Sequence, residues 1–138
     1  MTLKAKGLDH VAIVVKDLDR AIELYRDLLG LELCEREEVP EQQVTIAMFG
    51  RGMGRIELIC PTSKTTGVAR FLEKRGEGLH HLCIEVEDIE AAIAELREKG
   101  ARLIDQAPRP GASGARVAFV HPQGMRGVLT ELREGRKK

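Results

Sequence analysis

Residues 8–33 read LDHVAIVVKDLDRAIELYRDLLGLEL, and residues 79–103 read LHHLCIEVEDIEAAIAELREKGARL. These stretches are one pattern written twice, and an internal repeat fixes more about a fold than any single element does. Each copy opens with Leu-x-His, as Leu8-Asp9-His10 and as Leu79-His80-His81. Each continues as a short apolar run, VAIVV or LCIEV, of the length and composition of a strand. An acidic turn follows, and Asp17 and Asp88 stand where a helix N-cap is needed. Helical spacing comes next, with Ala21, Ile22, Tyr25 and Leu29 in one copy and Ile89, Ala92, Ile93 and Leu96 in the other. Gly30 and Gly100 then supply predicted helix C-caps.

Working outward, the copies agree again near their ends. The segment Arg55-Ile56-Glu57-Leu58-Ile59 matches Leu129-Thr130-Glu131-Leu132-Arg133 through a shared Glu-Leu. Glu57 follows His10 by 47 positions, and Glu131 follows His81 by 50. Between helix and last strand lie two more predicted strands per copy, at about 31–38 and 43–49, and at about 101–106 and 115–120. Pro40 separates the first pair, and Pro108, Pro110, Gly111 and Gly114 separate the second. The order in each half is β-α-β-β-β. A helix covers one face of each small sheet and leaves the other free. The reading is therefore an α+β fold in which two βαβββ modules form a curved mixed sheet around a metal-binding cleft. The whole chain, 1–138, reads as a single domain. Module one spans about 7–62, a linker with a short helix (Val68 to Lys74) spans 63–77, and module two spans about 78–134.

Composition narrows the function classes. A chain of 138 residues can bury a core without disulfides or a structural metal. Lys plus Arg and Asp plus Glu are 22 each, so no net field steers the chain toward nucleic acid or an anionic membrane. There is no Trp, with one Tyr and three Phe, too few rings for a base-stacking platform. The sequence shows neither a signal-peptide pattern nor an apolar run of membrane-spanning length, and a cytoplasmic protein is expected. Cys34, Cys60 and Cys83 have no CxxC spacing and read as small buried hydrophobes in a reducing compartment. The basic run Arg133, Arg136, Lys137 and Lys138 reads as a solvated tail.

The chemistry lies in His10, Glu57, His81 and Glu131. Each is polar within a strand rich in Ile, Val and Leu. A carboxylate there is costly unless it is paired or bound to a cation. Taken singly, a strand histidine is usually a structural hydrogen-bonding residue and a strand glutamate usually faces solvent. The repetition of both residue types at matching places is what favours a shared role. Two imidazoles and two carboxylates suit one divalent ion such as Co2+, Mn2+, Ni2+, Fe2+ or Zn2+, with positions left for substrate oxygens. His80 falls on the face opposite His81 and reads as a packing residue. His121, in His-Pro-Gln-Gly, reads as structural or substrate-proximal.

These residues resemble the vicinal oxygen chelate superfamily, which includes glyoxalase I, extradiol dioxygenases and bleomycin-resistance proteins. The resemblance runs from Leu8 to about Glu134 and is closest to the methylmalonyl-CoA epimerase family. It is carried by LDHVAIVVKDLDRAIELYRDLLGL, by EEVPEQ at 37–42, by FLEKRGEGLHHL at 71–82, and by RLIDQAPRPGASGARVAFVHPQGMRGVLTEL at 102–132. The resemblance implies the metal ligands His10, Glu57, His81 and Glu131, with one divalent ion per chain, Co2+ foremost. It implies an acyl-CoA substrate whose α-proton is moved from one face to the other through a metal-stabilised enolate. Glu131 would be one proton-transferring group; Glu41 and a metal-bound water are candidates for the other, and the pair Glu57 and Glu131 serving both faces is the alternative. Some epimerases carry a further glutamate five positions after the one matching Glu41, where this chain has Ile46. In the loop 108–114, Arg109 and the amides of Gly111 and Gly114 are substrate-binding candidates, read as contacts for the CoA phosphates. A homodimer is implied as well.

The alternatives within the resemblance are a glyoxalase I-type lyase acting on a glutathione hemithioacetal and a metal-free binding or resistance protein. The epimerase-like loops weigh against the first and the complete ligand set against the second. An extradiol dioxygenase needs an open site of two His and one Glu, and Glu57 would fill an extra position.

Overall fold

The computed structural model describes residues 3–135. They form eight strands and three helices: β1 Ala5–Val14, α1 Leu18–Asp27, β2 Leu33–Val39, β3 Val44–Phe49, β4 Arg55–Pro61, α2 Gly67–Arg75, β5 Gly78–Val86, α3 Ile89–Glu98, β6 Arg109–Pro110, β7 Arg116–Val120 and β8 Leu129–Glu134. The chain divides into two compact units. One is His10–His80, and the other joins the residues before His10 to those from His81 onward. No helix among the described residues is long and apolar enough to cross a membrane.

In the His10–His80 unit the strands are ordered β2-β3-β4-β1. β1 runs parallel to β4, with His10 opposite Arg55 and Ala12 opposite Glu57, while β3 is antiparallel to both β2 and β4. Strand periodicity sends alternate side chains to opposite faces. Ala47, Phe49 and Leu58 therefore meet Leu18 and Ile22 of α1 in one buried cluster. His10, Ala12, Ile46, Met48 and Glu57 occupy the other face. Asp17 caps α1 as expected, its carboxylate accepting the Arg20 N–H at 3.1 Å. The predicted linker helix is present as α2, capped by Thr66 and closed at Gly76.

The other unit repeats this plan with order β5-β8-β7-β6. β5 runs parallel to β8, with His81 opposite Leu129 and Cys83 opposite Glu131. Val86, Ile89, Ala92, Ile93, Ala118 and Leu132 are among the buried residues between α3 and its sheet, and Leu3 packs against them. Asp88 caps α3 by accepting the Ala91 N–H. From β8, Glu134 accepts the Ile89 N–H at 3.1 Å and pairs with Arg116, which ties the strand to the start of the helix.

Several expectations shift. The C-cap of α1 is Leu28 rather than Gly30, and that of α3 is Lys99 rather than Gly100. The glycines follow in the left-handed region, at φ of 69° and 81°, where they turn the chain out of the helix. The predicted strand at 101–106 is reduced to a single bridge between Leu103 and Val120. There the Asp105 side chain takes the Phe119 N–H, and Pro108 has no N–H to offer a ladder. The pairing resumes at Arg109 as β6. Arg133 is no tail residue. It lies in β8 and is buried, with Asp9 Oδ1 3.7 Å from its guanidinium. The rest of the basic run, residues 136–138, lies outside the described residues. Only Cys83 of the three free cysteines is fully buried, the other two being half-buried.

Candidate functional site

Each unit carries one histidine–glutamate pair, built by the same local device. In parallel strands, residues directly opposite share a face, and so do residues two positions further along. Glu57 is directly opposite Ala12, so His10 reaches it on the diagonal past a side chain of one carbon. Glu131 is directly opposite Cys83, and His81 reaches it past that small residue. On the far side of each glutamate stands a large apolar neighbour in register, Met48 beside Glu57 and Phe119 beside Glu131.

The diagonals produce close pairs. His10 Nε2 lies 3.7 Å from Glu57 Oε2, and His81 Nε2 lies 3.1 Å from Glu131 Oε1. The second is within hydrogen-bond distance, and the first is an ion-pair distance. All four side chains are at least nine-tenths buried. Phe119 closes on His81 edge to face, with ring centroids 5.6 Å apart. Imidazole nitrogens and carboxylate oxygens are the ligand types that borderline divalent cations take. Each pair offers one of each.

Glu41 is exposed in the turn between β2 and β3, and Ile46 is buried on the sheet face that carries Glu57. Arg109 lies in β6, with its guanidinium carbon 4.8 Å above the Phe119 ring centroid and its Nε 3.3 Å from Asp105. Gly111 approaches Val117 so closely that a Cβ there would sit 2.8 Å from a valine methyl. Gly114 ends a short 3₁₀ turn, Ala112–Gly114. His80 packs edge-on against Phe71 of α2, and His121 accepts the Gln123 N–H to cap a second 3₁₀ turn. Both are thus engaged in structural contacts.

The sequence reading missed Asp9, Asp105 and Phe119. Asp9 is only 1% exposed, in a strand and next to His10. A carboxylate in an apolar strand needs a partner, and this holds for Asp9 as it does for Glu57. Asp105 carried no comparable signal, because its role depends on a strand far away in sequence.

A family model described as Glyoxalase/Bleomycin resistance protein/Dioxygenase superfamily matches residues 9–119. The chain belongs to that superfamily. Within it, the chain is 42% identical to an ethylmalonyl-CoA/methylmalonyl-CoA epimerase of Cereibacter sphaeroides, over 92% of this chain and 96% of the relative. The crystal structure of a methylmalonyl-CoA epimerase from Mycobacterium tuberculosis superposes with a TM-score of 0.93 at 38% identity, covering 99% of this chain and 93% of that one. A methylmalonyl-CoA epimerase in complex with methylmalonyl-CoA and NH4+ superposes with a TM-score of 0.91 at 36% identity, over 97% of this chain and 96% of that one. The superfamily member described here is thus a homologue of epimerases along nearly its whole length, as the sequence resemblance implied.

Proposed function

We propose that this superfamily member is a methylmalonyl-CoA epimerase, an isomerase that interconverts the (2R) and (2S) thioesters by 1,1-proton transfer, and that His10, Glu57, His81 and Glu131 hold one divalent metal ion. The repeated histidine–glutamate diagonal carries the reading of the site. The donor chemistry fits a metal. Two imidazoles and two carboxylates, all buried, would leave unfavourable negative charge in an apolar setting unless a cation offsets it. Co2+ is the first choice, with Mn2+, Ni2+ and Zn2+ as alternatives of suitable ligand preference. Such an ion supplies Lewis acidity toward the oxygens of a thioester and a carboxylate.

The chain's own groups move the proton. Glu131 takes the α-proton on one face of the acyl group, and Glu41 serves the other face. The β2–β3 turn places Glu41 in solvent, so its part requires that turn to meet the bound substrate. Ile46 cannot carry a proton, so Glu41 is the candidate taken for that face, with the pair Glu57 and Glu131 serving both faces as the alternative. Arg109, Gly111 and Gly114 form the substrate-binding loop. The working form is a cytoplasmic homodimer, and sedimentation equilibrium checks its mass.

The test is proton exchange. Metal-free protein is reconstituted with Co2+ and mixed with methylmalonyl-CoA in D2O, and deuterium at C2 is followed by NMR. Rapid exchange that depends on added metal is the expected result. No exchange with metal demonstrably bound overturns the substrate assignment and sends the search to glutathione hemithioacetals.

A further inference from the structure

Arg109 is held more firmly than a loop arginine needs to be. Its guanidinium lies over the face of Phe119, and its Nε pairs with Asp105 Oδ2. The same carboxylate oxygen accepts the Phe119 backbone N–H at 2.8 Å. One aspartate therefore hydrogen-bonds the strand and holds the cation above it as an ion pair, without a hydrogen bond to Nε. Phe119 in turn meets the His81 ring and stands in register with Glu131. The two terminal guanidinium nitrogens make no hydrogen bond to any described residue, and the side chain is 41% exposed. The result is a rigid fork of donors, open to solvent, one aromatic ring away from the His81 imidazole.

A long flexible cation loses rotamer freedom when it binds an anion. A guanidinium stacked on a ring and paired through Nε has already lost most of it, and its planar end matches a carboxylate in two-point geometry. We infer that Arg109 is a preset contact for the free carboxylate of the acyl group, with Asp105 and Phe119 as positioning residues. The inference rests on the epimerase reading above. A CoA thioester of a dicarboxylic acid offers anionic oxygens at two places, the acyl carboxylate and the phosphates. The phosphates lie at the far end of the pantetheine arm, whereas Arg109 is close to His81. The structure thus favours the carboxylate over the phosphate contact that the loop sequence by itself suggested. A carboxylate-reading arginine also selects malonyl-type thioesters over simple acyl thioesters, because the latter leave its donors unmatched.

The experiment compares the metal-reconstituted protein with Arg109→Gln, Arg109→Lys and Asp105→Asn. Proton exchange is measured on methylmalonyl-CoA and on methylmalonyl-pantetheine, which has no phosphate. Inhibition is measured with malonyl-CoA and with propionyl-CoA. Arg109→Gln is expected to lower kcat/KM about 30-fold on both substrates, the scale of one lost charge-assisted contact. It should weaken malonyl-CoA to a similar degree and leave propionyl-CoA inhibition unchanged, a split that a merely structural role would not produce. Arg109→Lys should recover part of the loss, and Asp105→Asn should raise KM while leaving kcat nearly unchanged. A loss confined to methylmalonyl-CoA would mean a phosphate contact and overturn the inference. So would an equal loss of propionyl-CoA binding, or no loss at all. If the wild-type protein exchanges neither substrate, the epimerase reading fails first, and this inference falls with it.

Discussion

His81 Nε2 stands 3.1 Å from Glu131 Oε1, across two parallel strands in which neither residue is the other's direct partner. The directly opposed residue is Cys83, small enough for the imidazole to pass. His10 and Glu57 repeat the relationship around Ala12. A duplicated sequence pattern has thus become a duplicated geometry, with one imidazole nitrogen and one carboxylate oxygen brought together in each unit.

Glu131→Gln keeps the size of the side chain and removes its charge and basicity. Proton exchange should fall by roughly 1,000-fold, within the range of a lost general base. Metal content measured on the same sample separates two causes. Retained exchange with metal bound would remove Glu131 from the mechanism.

Metal should stabilise the fold by mass action. Adding Co2+ to about 100 times its dissociation constant should contribute about 2.7 kcal/mol, and a chelator should reverse the gain. For a domain of this size that is a rise of roughly 5–15 °C in Tm, read by calorimetry. His81→Ala should erase the metal-dependent part of the rise. An equal rise in the variant would sink the ligand assignment.

The buried pair Asp9–Arg133 should show the asymmetry of buried charges. Asp9→Ala strands a guanidinium that is 8% exposed. The expected cost is about 3–5 kcal/mol by urea denaturation. Replacing both, as Asp9→Leu with Arg133→Met, should cost far less than the single change.

Gly111 is needed for space. Its φ of −129° is open to any residue, so the cost of Gly111→Ala comes from the methyl of Val117, 2.8 Å from the new Cβ. About 1–3 kcal/mol of destabilisation is expected. Val117→Ala should relieve most of it in the double variant, and strict additivity would contradict the steric account.

Burial pushes the Cys60 thiol above its ordinary value, with the Asp17 charge adding to the effect. A thiol with a raised folded pKa binds its proton more tightly in the native state. Its contribution to stability is therefore full below the unfolded value and is lost as pH rises through the folded one. Iodoacetamide should label Cys60 more slowly in native protein than in urea, with the difference largest at mildly alkaline pH. Equal rates in the two states would rule this out.

Most element types, the duplication and a candidate set of chemistry-bearing residues were legible in the sequence. Strand runs, Asp17 and Asp88 as N-caps, and the helical spacing of Ile22 or Ile93 are local signals. Each depends on a few neighbouring residues and the fixed periods of strand and helix. Repetition turned four unremarkable polar residues into a candidate ligand set. The tertiary structure decided what depends on distant partners. The parallel registers of β1 with β4 and of β5 with β8 choose which residue His10 and His81 reach, and a shift of one position would turn each glutamate to the helix side of its sheet. The 101–106 segment has strand composition, yet Asp105 gives its side chain to Phe119 and the ladder fails there. Arg133 reads as the start of a basic tail until Asp9 is seen beside it, and Arg109 reads as a loop contact for a phosphate until Phe119 lies beneath it. Ion pairs and ring contacts of this kind join residues far apart in the chain. Their free energy exists only once the strands are in register, and no local pattern encodes it.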